Sequence, residues 1–171
     1  MTTLLRNATR VDERGELPDA WLLLDGDSIA AAGSGDAPEA TDTIDLQGAV
    51  IAPGFIDLHG HGAGGRSYDD GGDALAAALA VHRAHGTTRS VVSIVTNPLA
   101  ELRERLAEVA ALTEADPLVL GSHLEGPFLA RERRGAHNPE FLRDPDPATV
   151  DELLDAAAGT LRQVTLAPEL P

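Results

Sequence analysis

Residues 88–95 of the chain read Thr88-Arg89-Ser90-Val91-Val92-Ser93-Ile94-Val95. The stretch is rich in β-branched residues, which is typical of a β-strand. Immediately after it, Asn97 and Pro98 predict the start of a helix, with asparagine as the cap and proline at the first helical position. Apolar residues recur every three or four positions over residues 99–109, and a second apolar run covers residues 117–124. The sequence therefore predicts a β-α-β unit with parallel strands.

The same alternation of strand and helix continues on both sides of this unit. Residues 50–59 predict a buried strand that the chain enters through the Pro53-Gly54 turn, and residues 73–85 predict a helix that a glycine ends. Further along, Asp146 and Pro147 open a third predicted helix, and residues 162–166 predict a fourth strand. Four strands separated by three helices indicate either a doubly wound sheet or part of a (β/α)8 barrel, and periodicity alone does not decide between them.

Residues 3–50 lack a helical pattern and predict a small β module. Short apolar runs are separated by turn residues, and Asp25-Gly26-Asp27 is a hairpin signal because glycine tolerates the positive φ of a tight turn. We therefore divide the chain at residue 50, with a β domain before it and an α/β domain over residues 51–171.

The composition of the 171-residue chain excludes several classes of function. Acidic residues outnumber basic ones 28 to 13, and the net charge of −15 disfavours binding to nucleic acid or to an anionic membrane surface. The chain contains neither lysine nor cysteine, so it supplies no lysine Schiff base, no carboxylated bridging lysine, no disulfide and no thiolate ligand. No secretory signal opens the sequence, and no apolar run approaches the ~20 residues that span a bilayer. We therefore expect a cytoplasmic protein.

Ionisable residues stand at the carboxyl ends of two predicted strands. His59 and His61 are two residues apart, so both side chains are expected on one face, about 7 Å apart at Cα. Glu125 ends the third strand, where a Gly-Pro pair follows. Active sites of parallel α/β folds lie at this edge, and two imidazoles with a carboxylate can bind one divalent metal ion. Hydrogen bonding alone is the alternative for the histidine pair, and His123 fits a packing role as well as a ligand role.

Residues 60–65 match the dinucleotide-binding pattern G-x-G-x-x-G. That fingerprint requires its last glycine to open a helix and an acidic residue to end the following strand. Here seven residues separate the glycines from the predicted helix, and the second strand ends in Thr96 and Asn97 rather than in an acid. We therefore expect no dinucleotide site, and we expect the glycines to let the backbone approach a bound ligand.

The segment 131–139 is the densest basic cluster of an acidic chain. One interpretation is a solvated loop with internal Arg-Glu pairs. The other is a cationic lip for an anionic substrate, with His137 as a hydrogen-bond donor. His82 and His85 fall in the first predicted helix, outside the sheet, and the sequence gives no reason to assign them chemistry.

The residues at the strand ends also carry a resemblance to a known family. Residues 53–62 resemble the first-strand metal motif of the amidohydrolase superfamily. Residues 123–128 and 134–139, in this order and spacing, resemble the N-acetylglucosamine-6-phosphate deacetylase family within it, and residues 165–169 resemble the fourth barrel strand of that family. The resemblance spans nearly the whole chain.

The resemblance implies a fold and a set of site residues. The fold is the first half of a metal-dependent (β/α)8 TIM barrel, preceded by strands of a small β-sandwich domain. Glu125 matches the metal-binding glutamate of the family, while His59 and His61 match the histidine pair of members with an additional metal position. Ala136 and His137 match its substrate-contacting pair. The implied cofactor is a divalent metal, Zn or Fe.

The resemblance further implies a reaction and a partner. The implied reaction is hydrolysis of the N-acetyl group of N-acetylglucosamine 6-phosphate to glucosamine 6-phosphate and acetate, in amino-sugar catabolism, by a homodimer. In the family, two further metal histidines and the catalytic aspartate lie on later strands, and this sequence ends at Pro171 before any of them. We therefore expect the 171-residue chain to carry no catalytic residue of its own and to be inactive alone.

Two alternatives to this reading stay open. Another amidohydrolase, of the dihydroorotase or allantoinase type, would share His59 and His61 but would leave residues 123–128 and 134–139 without a reason. A non-catalytic fragment that binds metal or needs a partner to fold is the other alternative.

Overall fold

The N-terminal residues form an antiparallel meander because their apolar runs are separated by tight turns. The computed structural model describes residues 1–171, which divide into two units, Met1–Pro53 and Gly54–Pro171. The first unit contains five strands, namely β1 (Thr2–Asp12), β2 (Gly15–Asp25), β3 (Ser28–Ser34), β4 (Asp42–Asp45) and β5 (Val50–Ile51). Gly26 adopts φ 60° between β2 and β3, which places the hairpin where the sequence predicts it.

The sheet of the first unit has the order β3-β2-β1-β4, with β5 also paired to β1. The pairs β1-β2 and β2-β3 are antiparallel, whereas β4 and β5 run parallel to β1. The absence of helix from this unit agrees with the sequence pattern.

The second unit alternates strands and helices. Its elements are β6 (Phe55–Gly60), β7 (Gly62–Ala63), β8 (Arg66–Ser67), α1 (Gly72–Ala84), β9 (Thr87–Val95), α2 (Leu99–Ala115), β10 (Val119–Glu125), α3 (Pro147–Ala157) and β11 (Leu161–Thr165). Strands β6, β9, β10 and β11 form one parallel sheet in the order β11-β10-β9-β6. The predicted parallel α/β architecture is therefore confirmed as a mixed α/β fold with a parallel sheet. The burial predicted for residues 50–59 is wrong: Phe55, Ile56 and Leu58 are more than half exposed, because β6 is an outer strand of the sheet. None of the helices combines the length and apolar character needed to cross a bilayer.

The core of the second unit lies between its helices and one face of the sheet. The buried apolar side chains of this layer are Leu75, Ala78 and Leu79 of α1, Leu102, Leu106 and Val109 of α2, Leu153 and Ala157 of α3, and Val92, Ile94 and Leu124 of the sheet. Burial of the leucine, isoleucine and valine side chains in this set stabilises the fold by about 1.5–3 kcal/mol each. The core is aliphatic, and Tyr68 and Phe128 are the aromatic residues in it.

Sequence signals place the start of one helix correctly and of another incorrectly. Asp146 caps α3 as predicted, because its side chain accepts a hydrogen bond from the Thr149 N–H at 3.0 Å. Asn97 does not cap α2: the N-cap position is Pro98, without a side-chain cap hydrogen bond. Asn97 instead donates its amide N–H to Asp69 Oδ1 at 3.0 Å. The Asp69 carboxylate therefore binds the Asn97 side chain that the sequence predicted as the cap of α2.

Candidate metal centre

The first parallel strand delivers two histidines to one point. His59 lies on β6 and His61 follows it, and their Nε2 atoms approach to 3.1 Å. The Asp57 carboxylate accepts a hydrogen bond from the His59 backbone N–H at 3.1 Å, which fixes the turn of the chain at this point. The side chains of His59 and His61 are 47% and 40% exposed, so both rings are accessible to a ligand.

The third parallel strand adds a carboxylate to the histidine pair. Glu125 Oε2 lies 3.5 Å from His59 Nε2 and 3.0 Å from His61 Nε2. These three groups are the one cluster of metal-ligating side chains in the chain whose donor atoms all lie within 4.8 Å of one another. Donors bound about 2.0–2.2 Å from one divalent ion lie about 3 to 3.6 Å apart, depending on the coordination angle. The spacing and the chemistry of the donor set therefore fit a single divalent ion.

His123 takes no part in this cluster, although the sequence leaves a ligand role open for it. Its ring is fully buried, with Nδ1 at 2.9 Å from Ser93 Oγ and Nε2 at 2.8 Å from Thr165 Oγ1. Burial, and then the neighbouring His59, lower the pKa of His123, and a neutral ring offers one donor and one acceptor to the two hydroxyls. The ring packs edge-on against His59 with 4.7 Å between centroids. His123 thus connects the three adjacent strands β9, β10 and β11, and its ring packs against the ring of His59.

A cavity of about 470 Å³ opens beside the histidine-glutamate cluster. Its lining consists of His61, Val95, Glu125, Leu129, Arg133, Arg134, Gly135, Ala136, His137 and Thr165. The lining includes both residues of the predicted substrate-contacting pair and part of the predicted cationic lip. None of the ion pairs in the structure joins an arginine of the segment 131–139 to Glu132, so these arginines leave positive charge at the rim. A larger concavity of about 750 Å³ in the N-terminal unit has no histidine in its lining and no metal-ligating cluster.

His82, to which the sequence assigns no chemistry, contacts the backbone that follows the histidine pair. His82 of α1 contacts the Gly62 carbonyl through Nε2 at 3.2 Å, and its Nδ1 lies 3.9 Å from Asp57 Oδ2. His82 occupies the helix face of Leu75, Ala78 and Leu79, which are buried. His82 itself is half-buried, and its place on the apolar face of α1 can be read from the helical spacing of the sequence.

A second carboxylate, Asp69, holds the backbone of the cavity-lining Val95, and no sequence pattern singled it out. Asp69 Oδ1 accepts hydrogen bonds from the Val95 backbone N–H at 3.1 Å and from Asn97 Nδ2 at 3.0 Å. Its other oxygen lies 3.2 Å from Ser67 Oγ. Burial raises the pKa of Asp69, and these hydrogen bonds oppose the shift. The carboxylate ties the end of β9 to the segment that follows β8.

The glycine-rich segment after β6 forms a hairpin rather than a nucleotide-binding turn. Strands β7 and β8 pair antiparallel, with Gly64 and Gly65 at φ 61° and 76° between them. Gly62 adopts φ 134°, and a Cβ there would lie 2.0 Å from the Arg66 carbonyl oxygen. The expected absence of a helix opening at these glycines is confirmed, and the close backbone approach they permit is to β8.

Comparison with known proteins finds similar folds and sequences among sugar-phosphate deacetylases. No family model matches the chain. Among solved structures, an N-acetyl-D-glucosamine-6-phosphate deacetylase from Mycobacterium smegmatis, in complex with N-acetyl-D-glucosamine-6-phosphate, has a TM-score of 0.90 at 41% identity, over 99% of this chain and 44% of that one. The deacetylase from Pasteurella multocida has a TM-score of 0.86 at 31% identity, over all of this chain and 46% of that one.

Curated proteins of similar sequence are deacetylases of two amino-sugar phosphates. The chain is 33% identical to an N-acetylgalactosamine-6-phosphate deacetylase from Escherichia coli O157:H7, over 99% of this chain and 45% of that protein. It is 37% identical to the human N-acetylglucosamine-6-phosphate deacetylase, over 77% of this chain and 34% of that protein. The resemblance to N-acetylglucosamine-6-phosphate deacetylases is therefore confirmed, and the chain spans less than half the length of the relatives it matches.

Proposed function

We propose that His59, His61 and Glu125 bind a divalent metal ion, Zn²⁺ or Fe²⁺, in an enzyme that removes the N-acetyl group of N-acetylglucosamine 6-phosphate. The observation that carries this proposal is the convergence of two imidazole nitrogens and one carboxylate oxygen within 3.0–3.5 Å at the carboxyl ends of parallel strands. Active sites of this fold class lie at that edge. The similarity to deacetylases of known structure supports the choice of reaction.

The residues of this chain have two roles in the proposed site, metal binding and substrate binding. A divalent ion bound by the cluster would polarise the amide carbonyl and lower the pKa of a coordinated water molecule. Glu125 supplies negative charge that balances the ion, and the two neutral imidazoles supply nitrogen donors. Ala136 and His137 line the adjoining cavity and contact the sugar. The arginines at its rim favour the phosphate, since guanidinium groups pair with phosphate oxygens.

The proposed proton acceptor lies outside these residues. General base catalysis requires a group within hydrogen-bond reach of the attacking water. The family resemblance assigns this role to an aspartate on a later strand, beyond residue 171. The 171-residue chain alone is expected to give no deacetylation above a metal-only blank.

We propose that the parallel sheet of the second unit is the first half of a (β/α)8 barrel, and that the first unit contributes strands to a β-sandwich domain. A barrel of this type takes about 250 residues, and four of its eight strands account for the 44–48% coverage of the M. smegmatis structures. Assembly as a homodimer and a location in the cytoplasm stay predictions.

A metal titration tests the centre directly. Isothermal titration with Zn²⁺ is expected to give one site per chain, and His61→Asn or Glu125→Gln is expected to weaken it by more than about 100-fold, because loss of a ligand exceeds the 10–100-fold effect of losing an outer partner. His85→Asn is the matched control, since His85 lies exposed at the C-cap of α1 and contacts the Val81 carbonyl. Equal zinc binding by all variants would refute the assignment.

A chimera tests the reaction. Residues 1–171 joined to the remaining segment of the M. smegmatis deacetylase are expected to release acetate from N-acetylglucosamine 6-phosphate, and Glu125→Gln in the chimera is expected to abolish this release. Parallel assays with N-acetylgalactosamine 6-phosphate are required, because one relative is named for that epimer. Faster turnover of the galacto substrate would replace the proposed substrate by its epimer. A zinc-binding, well-folded chimera without turnover of either sugar would favour the non-catalytic alternative.

A further inference from the structure

Thr96 occupies the point at which β9 meets the cavity, and no role has been assigned to it. Its side chain is 4% exposed. Its Oγ1 lies 2.9 Å from His137 Nδ1 and 3.3 Å from the Glu125 carbonyl oxygen, and its backbone N–H points at His137 Nδ1 with an N···N distance of 3.4 Å. One residue thus contacts both a metal-ligand candidate and a cavity-lining histidine.

These contacts decide which nitrogen of His137 carries the proton. A backbone N–H can only donate, so the nitrogen that faces it must offer a lone pair. A proton on His137 Nδ1 would oppose the Thr96 N–H and would leave that donor unpaired in a buried position. With Nδ1 as the acceptor of the Thr96 N–H, the proton of the neutral ring resides on Nε2. The Thr96 hydroxyl has one proton, for which Nδ1 and the Glu125 carbonyl oxygen compete, and donation to Nδ1 avoids two lone pairs facing each other across the 2.9 Å contact.

The backbone around this contact leaves room for the hydroxyl. Gly126 adopts φ 84°, and a Cβ on it would lie 2.1 Å from Thr96 Oγ1. The glycine that follows Glu125 therefore has a local reason: any larger residue would displace the hydroxyl that faces His137.

We propose that Thr96 is a positioning residue that fixes His137 in the Nε2–H tautomer and so aims a hydrogen-bond donor into the cavity beside Glu125. His137 Nε2 lies 3.9 Å from Glu125 Oε2, and its side chain is 12% exposed, so the donor faces the space next to the metal-ligand cluster. The chemistry it recognises is an oxygen with lone pairs, such as an amide carbonyl. The tautomer stands on the hydrogen bonds alone, whereas the identity of the oxygen rests on the proposed function.

Nitrogen NMR of the metal-free protein, labelled with 15N at histidine, tests the tautomer. Long-range 1H–15N correlation spectra, recorded well above the ordinary histidine pKa of about 6.5, distinguish a protonated ring nitrogen from an unprotonated one. The chain has six histidines, and the signals that vanish in His137→Gln identify the relevant ring. We expect the Nε2–H pattern for the wild type. An Nδ1–H pattern in the wild type would overturn the proposal.

Two substitutions separate the hydroxyl from the shape of the side chain. Thr96→Val removes the oxygen at nearly constant volume and is expected to raise the fraction of the Nδ1–H tautomer, because only the longer backbone N–H contact of 3.4 Å then opposes it. Thr96→Ser keeps the oxygen and is expected to keep the wild-type pattern. Thr96→Ala removes the oxygen without adding a methyl group and replaces the valine variant where that variant fails to fold. An unchanged His137 spectrum in the folded valine or alanine variant would assign the tautomer to the backbone N–H alone and would overturn the role of the Thr96 hydroxyl.

Kinetics in the active chimera then test the consequence for the ligand. If His137 Nε2–H donates to an oxygen that gains charge during the reaction, Thr96→Val is expected to lower kcat by roughly fivefold, the equivalent of one neutral hydrogen bond, with KM nearly unchanged. An effect on KM alone would overturn donation to the reacting oxygen. Because the NMR result does not depend on turnover, an inactive chimera would refute the proposed function and leave the tautomer tested.

Discussion

Tyr68 lies in the core of the second unit. It is the single tyrosine of the chain, so its titration can be followed without interference from another phenol. Its ring is fully buried, and its hydroxyl has no hydrogen-bond partner among the protein atoms. Burial, and then the carboxylate of Asp57, raise the pKa of Tyr68 to about 12. We therefore predict that phenolate absorbance appears near pH 12 and not near the ordinary value of 10.0.

The sign of the linked effect on stability follows from that shift. A group with a raised folded pKa contributes stability that is complete below its unfolded value of 10.0 and is lost as the pH rises towards about 12. The chain unfolded in guanidinium is the control and should titrate near 10. A native titration that coincides with the unfolded one would contradict the burial of this hydroxyl.

At the same scale, the sequence predicted the residues that converge but not those that hold them. His59, His61 and Glu125 were predictable because strand ends of a parallel sheet meet at one edge and period-2 spacing places both histidines on one face. His82 and Thr96 were not singled out, because their contacts depend on which helix and which loop pack against the strand. The tautomer of His137 likewise depends on a backbone N–H whose direction no sequence pattern contains.

Among the elements, α3 allows the packing of a single helix to be tested with two neighbouring residues. Leu153 is 2% exposed and belongs to the core, whereas Leu154 is 50% exposed. We predict that Leu153→Ala lowers the free energy of unfolding by about 2–5 kcal/mol, because it removes packed methyl groups and leaves a cavity. Leu154→Ala is the matched control and should change it by less than about 1 kcal/mol. Urea denaturation of both variants gives the comparison, and equal losses would show that α3 is packed in another register.

The start of α3 supports a prediction of pH dependence. The hydrogen bonds from Thr149 lower the pKa of Asp146 below its ordinary value of 3.8. A lowered folded pKa means that the capping contribution is present above pH 3.8 and is lost as the pH falls through the folded value. Asp146→Asn keeps a capping oxygen without the charge change. We predict that this variant matches the wild type in melting temperature near neutral pH and loses less of it on acidification, as measured by circular dichroism. A steeper acid loss in the variant would contradict this account of the cap.

The extent to which the elements were predictable differs between α2 and α3 for a physical reason. Both helices follow a polar residue and a proline, yet the side chain of Asp146 caps α3 whereas Asn97 is drawn to Asp69. At α3 no tertiary partner competes for the Asp146 side chain, so local propensity decides the helix start. At α2 the half-buried Asp69 carboxylate binds Asn97 and overrides that propensity. The glycine-rich hairpin β7-β8 shows the same limit, since its pattern fits several turns and only the pairing with β8 selects one.

At the scale of the whole molecule, the parallel sheet presents apolar side chains on its two outer strands. Phe55, Ile56 and Leu58 of β6 are 69%, 60% and 56% exposed, and Val164 of β11 is 40% exposed. Outer strands of a sheet carry unpaired N–H and C=O groups, and natural proteins protect such edges with charge, with cover or by closing a barrel. Neither strand pairs with a further strand of the sheet, and Arg162 of β11 is the basic charge on that edge.

The open edges predict association of the 171-residue chain in solution. We expect its apparent mass in light scattering at physiological ionic strength to rise with concentration, because salt screens the net charge of −15 and leaves the apolar strands free to pair. The double variant Ile56→Lys/Val164→Lys places a charge on each outer strand and is expected to reduce this association. Val81→Lys/Leu154→Lys is the control, since it adds the same charge at exposed positions of α1 and α3. Equal association of the two double variants would place the contact away from the sheet edges, and a monomer at all concentrations would show that these strands need no cover.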